Sequence, residues 1–521
     1  MAVGARAVNA EGCPGLAWKV FALRIQSGLG NPRVVSLRRG VPNRTMPNHE
    51  SYDSPLVTRY ASKAMAELFN ERTRILTWRR IWLALAESQR EVGIPISVQQ
   101  IRELRRTLED IDFAAAARYE KKLRHDVMAH VHAWGDVAPK ARPILHLGAT
   151  SAEIVDNADL IILRDALRLI AGWLAAAIDA LGTFAKSHRS LPTLGLTHLQ
   201  PAQLTTCGKR AAMWCYDFVR DLEAVEVRIA LLRLRGIKGA TGTQASFLAL
   251  CGGHRGKVQR LERIFVRRIG FDRAEPVTGQ TYSRKIDADV VSTLAGIAAS
   301  VHKFSNDVRI LASRKEIEEP FEVEQIGSSA MPYKRNPMRC ERATGLARFV
   351  LSLASSPHQS AAEQWFERTL DDSSNKRLVI PETFLAVDAM LKLVTNVAKG
   401  LVVYPRVIEA RVREELPFMV TEDVLMAAVT AGGDRQNLHE RIRRHAHAAA
   451  TRVKDFGEAN DLITRLADDA AFSKVNLRRL TDPKRLIGLA PSQVDDFLRD
   501  YVRPVRLRYR KSVALDTRLS V

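Results

Sequence analysis

Four stretches of this chain place apolar residues in steps of three and four. Between Glu71 and Val92 the positions Ile75, Trp78, Trp82 and Leu85 recur this way, and the run stops at Gly93 and Pro95. That pattern predicts one amphipathic helix closed by two helix breakers. Leu160, Leu163, Leu167, Ile170, Leu174, Ala177 and Leu181 form a longer seam. Trp214, Phe218, Leu222, Val225, Ile229 and Leu232 form another, and Leu294, Ile297, Val301, Phe304, Val308 and Leu311 a last one. These three exceed the average globular helix of about 11 residues. They imply an elongated bundle whose seams bury against one another and against partners. After Pro405 the amphipathic segments shorten, punctuated by Pro417, Gly432-Gly433 and Pro483, as in a small helical terminal domain.

Composition fits that picture. A chain of 521 residues is too long for one ordinary core, and 46% hydrophobic with 26% charged residues is the balance of a soluble globular protein. No run approaches the roughly 20 uninterrupted apolar residues of a membrane span. The formal net charge of +21 asks for an acidic partner. Nucleic acid is opposed by the mixing of basic with acidic residues and by the lack of zinc-finger spacing or an aromatic-rich RNA motif. A polyanionic small molecule, such as a nucleotide with extra carboxylates, would also call for several Arg and Lys. Cys13, Cys207, Cys215, Cys251 and Cys340 form no C-x-x-C pair, which points to thiols used as small core residues in a reducing compartment. Up to Thr45 the chain carries Arg6, Arg24, Arg33, Arg38, Arg39 and Arg44 against the single acid Glu11. That bias fits a mitochondrial transit peptide, a disordered extension or an over-long start equally.

The candidate chemistry lies between the helices. Gly327-Ser-Ser-Ala-Met-Pro-Tyr-Lys-Arg-Asn-Pro337 has two prolines that bar regular structure. Ser328 and Ser329 become bases only if something stabilises the alkoxide, and Lys334 and Asn336 supply a charge and an amide in the same loop. Such a loop suits proton abstraction beside a carboxylate. His198, in Leu194-Gly-Leu-Thr-His-Leu-Gln-Pro-Ala-Gln203, sits just before Pro201 and off regular helix. A lone loop histidine is commonly structural, yet imidazoles also exchange protons near neutral pH. Thr150 and Ser151 precede the second seam, where hydroxyls and free N–H groups either cap the helix or hold a carboxylate. Arg59-Tyr60 lies on an expected loop.

Three metal or nucleotide readings fail on spacing. His125, His130 and His132 lack the i, i+4 pairing with a glutamate of a helical zinc site. Asp371-Asp372 has no second acidic cluster to complete a magnesium site. The glycine-rich run Arg235 to Ser246 lacks the terminal Gly-Lys-Ser/Thr of a P-loop.

From Tyr52 to near the C-terminus, at least five of these segments resemble the fumarase/aspartase superfamily, in its adenylosuccinate lyase branch. Its signature reads Gly-Ser-Ser-x-Met-Pro-x-Lys-x-Asn-Pro, and its second motif Thr-His-x-Gln-Pro-Ala-Gln. The resemblance implies an all-α, three-domain subunit with a long central helical bundle. We place a basic N-terminal extension at 1–50, an N-terminal helical domain at 51–150, the central bundle at 151–403 and a small helical domain at 404–521. It further implies a homotetramer with active sites shared between chains, a nucleotide substrate, and no metal or organic cofactor, nucleic acid or membrane. The implied reaction is β-elimination of fumarate from adenylosuccinate and from the succinyl-carboxamide ribotide of purine synthesis. Ser328 would be the base and His198 the acid, with Lys334 beside Ser328 and Glu341 orienting the histidines. Arg59, Tyr60, Arg368, Ser373 and Arg377 would hold phosphate. Thr150, Ser151, Gln280 and Arg342 would contact the succinyl side or its surroundings; Arg124, His125, Asp126 and Asn336 would be further substrate contacts, with His125 also among the catalytic residues. Rival readings are another fumarate-releasing enzyme such as an argininosuccinate lyase, or a non-catalytic basic helical scaffold. The resemblance favours a cytoplasmic protein, with mitochondrial import through the Arg-rich start as the alternative.

Overall fold

The expected seams are helices, and five long helices pack side by side around them. The computed structural model describes residues 52–512, 515 and 517–519. The basic extension and Cys13 therefore lie outside the described residues. Helix α1 spans Glu71–Glu91, capped by the Asn70 side chain accepting from Thr73 N at 2.7 Å, and it buries Ile75, Trp78, Trp82 and Leu85. Helix α2 spans Asp126–Val137, and α3 spans Ser151–Ser187. In α3 the consecutive residues Leu174, Ala175, Ala176, Ala177 and Ile178 are all fully buried. A helix apolar on every side is surrounded by others, so α3 is the central pillar. At 37 residues it is about 55 Å long.

A hairpin follows: β1, Pro192–Thr197, pairs antiparallel with β2, Gln200–Thr206. Helix α4, Cys207–Leu231, then returns along α3. Its start is tied to the end of α3 by Gly208 N donating to His188 O at 2.9 Å. Arg235, just past its far end, meets Glu153 in the first turn of α3 at 2.9 Å. Helix α5, Lys285–Ser313, carries the last predicted seam, and every member of that seam is buried. Helix α6 is Met338–Leu353 and α7 is Asp371–Gly400. Two short strands, β3 at Ile317–Glu318 and β4 at Val402–Val403, clip the end of α5 to the end of α7.

Helix α7 is absent from the periodicity reading, and the physical reason is visible. Pro381 lies inside it, and Phe384 to Leu391 are buried without interruption, so no polar stripe marks a face. The C-terminal part begins with α8, Pro405–Met419, which keeps Pro417 in its last turn, and includes α9, Arg435–Phe456, longer than the expected short segments. In α9, Arg441 and His445 pair with Asp469, while Arg443 and Arg444 are exposed beside Glu440. Cys207, Cys215, Cys251 and Cys340 are buried free thiols. Among the described residues no helix is long and apolar enough to cross a membrane.

Candidate active site

Three helix starts converge on one cleft of about 680 Å³. Helix α2 contributes His125 as its N-cap and Asp126 as its first residue, with Arg124 just before them. Helix α3 contributes Thr150, its N-cap, and Ser151. The first two turns of α7 contribute Ser373 and Arg377, and the neighbouring connections add Gln280 and Arg368. Converging N-termini present free N–H groups and the positive ends of helix dipoles, a setting that favours anions.

Local hydrogen bonds orient these groups. His125 Nδ1 accepts from Met128 N at 3.4 Å, and its Nε2 lies 3.2 Å from Ser151 Oγ. That network assigns the proton to Nε2, which donates to the serine. Arg377 Nη2 donates to Asp126 Oδ2 at 3.1 Å. Gln280 donates its amide to Ala240 O at 3.0 Å, in the glycine-rich run after α4. That run is stitched to α3 by Arg235 and by Gly239 N, both donating to Glu153 Oε1.

Beneath the cleft lies a buried charge network that the sequence reading did not identify. Arg284 donates to Asp156 at 3.1 Å and to Asp372 at 2.5 Å. Lys376 meets Asp156 at 3.2 Å and Asp159 at 2.6 Å, and Tyr282 Oη donates to Asp287 at 2.6 Å. Burial pushes Asp287 up to about 6, against the pull of Arg284 and Lys376. Burial would lower the Lys376 ammonium, but Asp159 and Asp156 raise it. The network locks the starts of α3, α5 and α7 together, and so fixes the spacing of Ser151, Gln280 and Arg377. Asp372 is used here as a partner of Arg284. No local signal in the sequence marks Arg284, because its partners lie 88 and 128 residues away.

The three histidines of the rejected zinc reading go to separate surroundings. His125 faces the cleft, His130 packs edge-on against Trp78 at 5.8 Å, and His132 stacks on Tyr119 at 5.2 Å. Arg59 and Tyr60 lie on a short π-helical turn, Leu56–Tyr60, rather than the expected loop. Ser62 anchors that turn, donating from its N and Oγ to Asp388 in α7, which also accepts from Trp173 Nε1 at 2.9 Å. The Arg342 guanidinium, in the first turns of α6, sits 5.5 Å from the Tyr60 ring.

The remaining candidates lie at the other end of the bundle. His198 and Leu199 form the two-residue turn of the hairpin, with φ of 54° and 58°. Both are left-handed, as the tight hairpin turn requires, although leucine rarely adopts it. His198 is exposed. The serine-rich loop starts near Pro320, which packs on Gly400 so closely that a Cβ there would lie 2.6 Å away. Its neck closes where Gly327 meets the Lys334 carbonyl without room for a side chain. Asn336 Nδ2 donates to Gly327 O at 2.7 Å, and Ser328 Oγ accepts from Met331 N at 3.2 Å. Lys334 and Glu341 are exposed. Helix α7 separates this loop, at its C-terminal end, from Ser373 and Arg377 near its start by about 40 Å. Within one chain, then, the structure brings together the cleft set but not Ser328, Lys334, Asn336 or His198, and Arg59, Tyr60, Glu341 and Arg342 are not among the residues that line the cleft.

Comparison with known proteins agrees with this architecture. A family model described as a lyase matches residues 62–352, and one described as the adenylosuccinate lyase C-terminus matches residues 417–497. The chain is 49% identical over 471 residues to an adenylosuccinate lyase of Saccharomyces cerevisiae, covering 89% of this chain and 98% of the relative. It is 46% identical to an adenylosuccinate lyase of Schistosoma mansoni, covering 91% and 100%. Among solved structures, a 3-carboxy-cis,cis-muconate lactonizing enzyme of Pseudomonas putida shares the fold, with a TM-score of 0.73 at 24% identity over 86% of this chain and 98% of its own.

Proposed function

The chain belongs to the adenylosuccinate lyase family, and from that premise we propose how its residues divide the cleavage of adenylosuccinate into AMP and fumarate. The same chemistry extends to the succinyl-carboxamide ribotide, since both substrates join a succinyl group to a nitrogen. A C–H beside a carboxylate is weakly acidic, so its removal needs a strong base and cations around the dianion that forms. Ser328 Oγ takes this proton, and the Lys334 ammonium stabilises both the alkoxide and the developing charge. As the C–N bond breaks, its electron pair goes to the nitrogen, and His198 delivers the proton that completes the leaving group.

Arg368, Ser373 and Arg377 hold the phosphate, where a guanidinium can engage two oxygens at once, with Arg59 and Tyr60 joining from the turn before Ser62. Thr150, Ser151 and Gln280 receive the succinyl carboxylates, and His125 positions Ser151. Asn336 keeps the serine loop closed at its neck, Arg342 braces Tyr60, and Glu341 orients the histidine side. The observation that carries this reading is the gathering of Arg368, Ser373 and Arg377 with Thr150, Ser151 and Gln280 in one cleft. The substrate's polyanionic character suits it.

We further propose a homotetramer with shared sites. A cleft at one end of α7 and the base loop at the other end support it, because a second chain running the opposite way brings the two ends side by side. The test is fumarate release by the purified full chain, followed separately on adenylosuccinate and argininosuccinate. Adenylosuccinate alone should be cleaved, and Ser328→Ala and His198→Ala should each lower kcat by at least 100-fold. Cleavage of argininosuccinate alone would reassign the substrate, and near-normal turnover by either variant would remove that residue from its role.

A further inference from the structure

Two exposed apolar features of this chain lie at opposite ends of the bundle. At the cleft, the connection before α7 crosses the one before α5, where Gln280 N donates to Glu367 O at 2.9 Å and a Cβ on Gly279 would lie 2.7 Å from the same oxygen. Arg368 and Leu370 line the cleft just beyond this crossing, so Trp365 and Phe366 stand on its rim. Phe366 is 98% exposed and Trp365 64%, with Leu370 and Val277 also largely exposed. Phe366 has a φ of 46°, a left-handed conformation strained for a bulky side chain. At the far end, a groove of about 510 Å³ lies between the hairpin and the helices α4 and α5. Leu196, Leu199, Leu204, Met213, Ile310 and Leu311 line it. Trp214 and Arg210 in the same wall are bonded within the chain, to Asp307 at 2.7 Å and to Leu194 O at 2.6 Å, so what the groove presents is mainly apolar. Exposed apolar surface gathered in this way marks a site of association.

The reaction selects what covers them. Thr197 and Leu199 of the groove flank His198 at the hairpin tip, and Arg368 is two residues from Phe366. Asp307 and Ile310 in the groove lie roughly 35 Å along α5 from Lys285, at the cleft end. One chain's acid and its own phosphate group therefore stay apart, and the groove meets a rim only on another copy. Resting on the shared-site reading above, we propose that the Trp365–Phe366 rim of one copy seats in the hairpin groove of a second copy. The two aromatic side chains fill the space between Leu199, Met213 and Ile310, and the contact sets His198 of the second copy over the cleft of the first. The left-handed turn at Phe366 serves this contact by holding the ring outward.

The experiment uses the full chain with Cys13→Ser, since the thiols of Cys207, Cys215, Cys251 and Cys340 are buried. Leu199→Cys chains and Phe366→Cys chains are mixed, reassembled and treated with a short bismaleimide. The expected product is a cross-linked pair holding one chain of each kind, identified by mass, at a yield neither variant reaches alone. Phe366→Gly supplies a second measurement, because glycine relieves the left-handed strain. A ring serving only its own chain would leave the assembly unchanged, whereas docking raises the subunit dissociation constant roughly tenfold or more by sedimentation, with kcat falling alongside. Mixed His198→Ala and Arg377→Ala chains that regain activity establish that hairpin and cleft of different copies share a site. With that recovery in hand, a missing cross-link or an unchanged dissociation constant overturns the docking and leaves the shared site standing. No recovery, or a chain that sediments as a monomer, overturns the shared-site reading and the docking with it.

Discussion

His146 shows how one side chain couples the site's scaffold to pH. Trp82 Nε1 donates to its Nδ1 at 3.0 Å, which the imidazole can accept only while neutral. Burial, with a smaller push from His125, lowers His146 to about 4. Burial likewise lowers His130 to about 4, with Arg79 and Arg74 adding to the effect. Unfolded histidines take up a proton near 6.5, so between pH 6.5 and 4 the unfolded chain binds more protons than the folded one. The stabilisation is fully present above pH 6.5 and is lost as pH falls toward 4, at about 3 kcal/mol for each residue. The melting temperature should therefore fall steeply over that window. His130→Phe, which keeps the packing on Trp78, should reduce the slope by about one proton, and an unchanged slope would show that the imidazole is not held neutral.

At the scale of elements, the buried network decides how firmly three helix starts hold their spacing. Arg284→Met would leave Asp156 and Asp372 buried without their shared guanidinium. Removing one partner of a buried ion pair costs about 3–5 kcal/mol. A clear drop in melting temperature is expected, with KM rising more than kcat falls because the cleft loses its shape before its base. A variant as stable as the parent would mean that Lys376 alone satisfies both carboxylates. The seams of α3, α4 and α5 were legible because their apolar positions kept a helical period, whereas α7 hid behind Pro381 and burial on every face. The cleft residues were legible only through motif resemblance, since composition and spacing alone left Thr150 as readily a cap as a ligand. Arg284 was not legible at all, because its function depends on partners that only the tertiary fold brings to it.

For the whole molecule, the separation of Arg377 from Ser328 along α7 sets the sharpest test of assembly. Inactive Arg377→Ala and Ser328→Ala chains, mixed in equal amounts and reassembled, should recover up to about a quarter of the parent activity, because random pairing leaves that share of shared sites without a lesion. Mixed assemblies verified by mass that stay inactive would place both residues in one chain's pocket. The anchor between Ser62 and Asp388 has a different consequence, one of timing. Its two ends are 326 residues apart in sequence, and a ribosome adding about 5–20 residues per second needs roughly 16–65 s to cover that distance. The segment bearing Arg59 and Tyr60 thus emerges early and waits, without its anchor, for most of the chain's synthesis. For a newborn chain, this early-made corner of the fold is among the last to be secured.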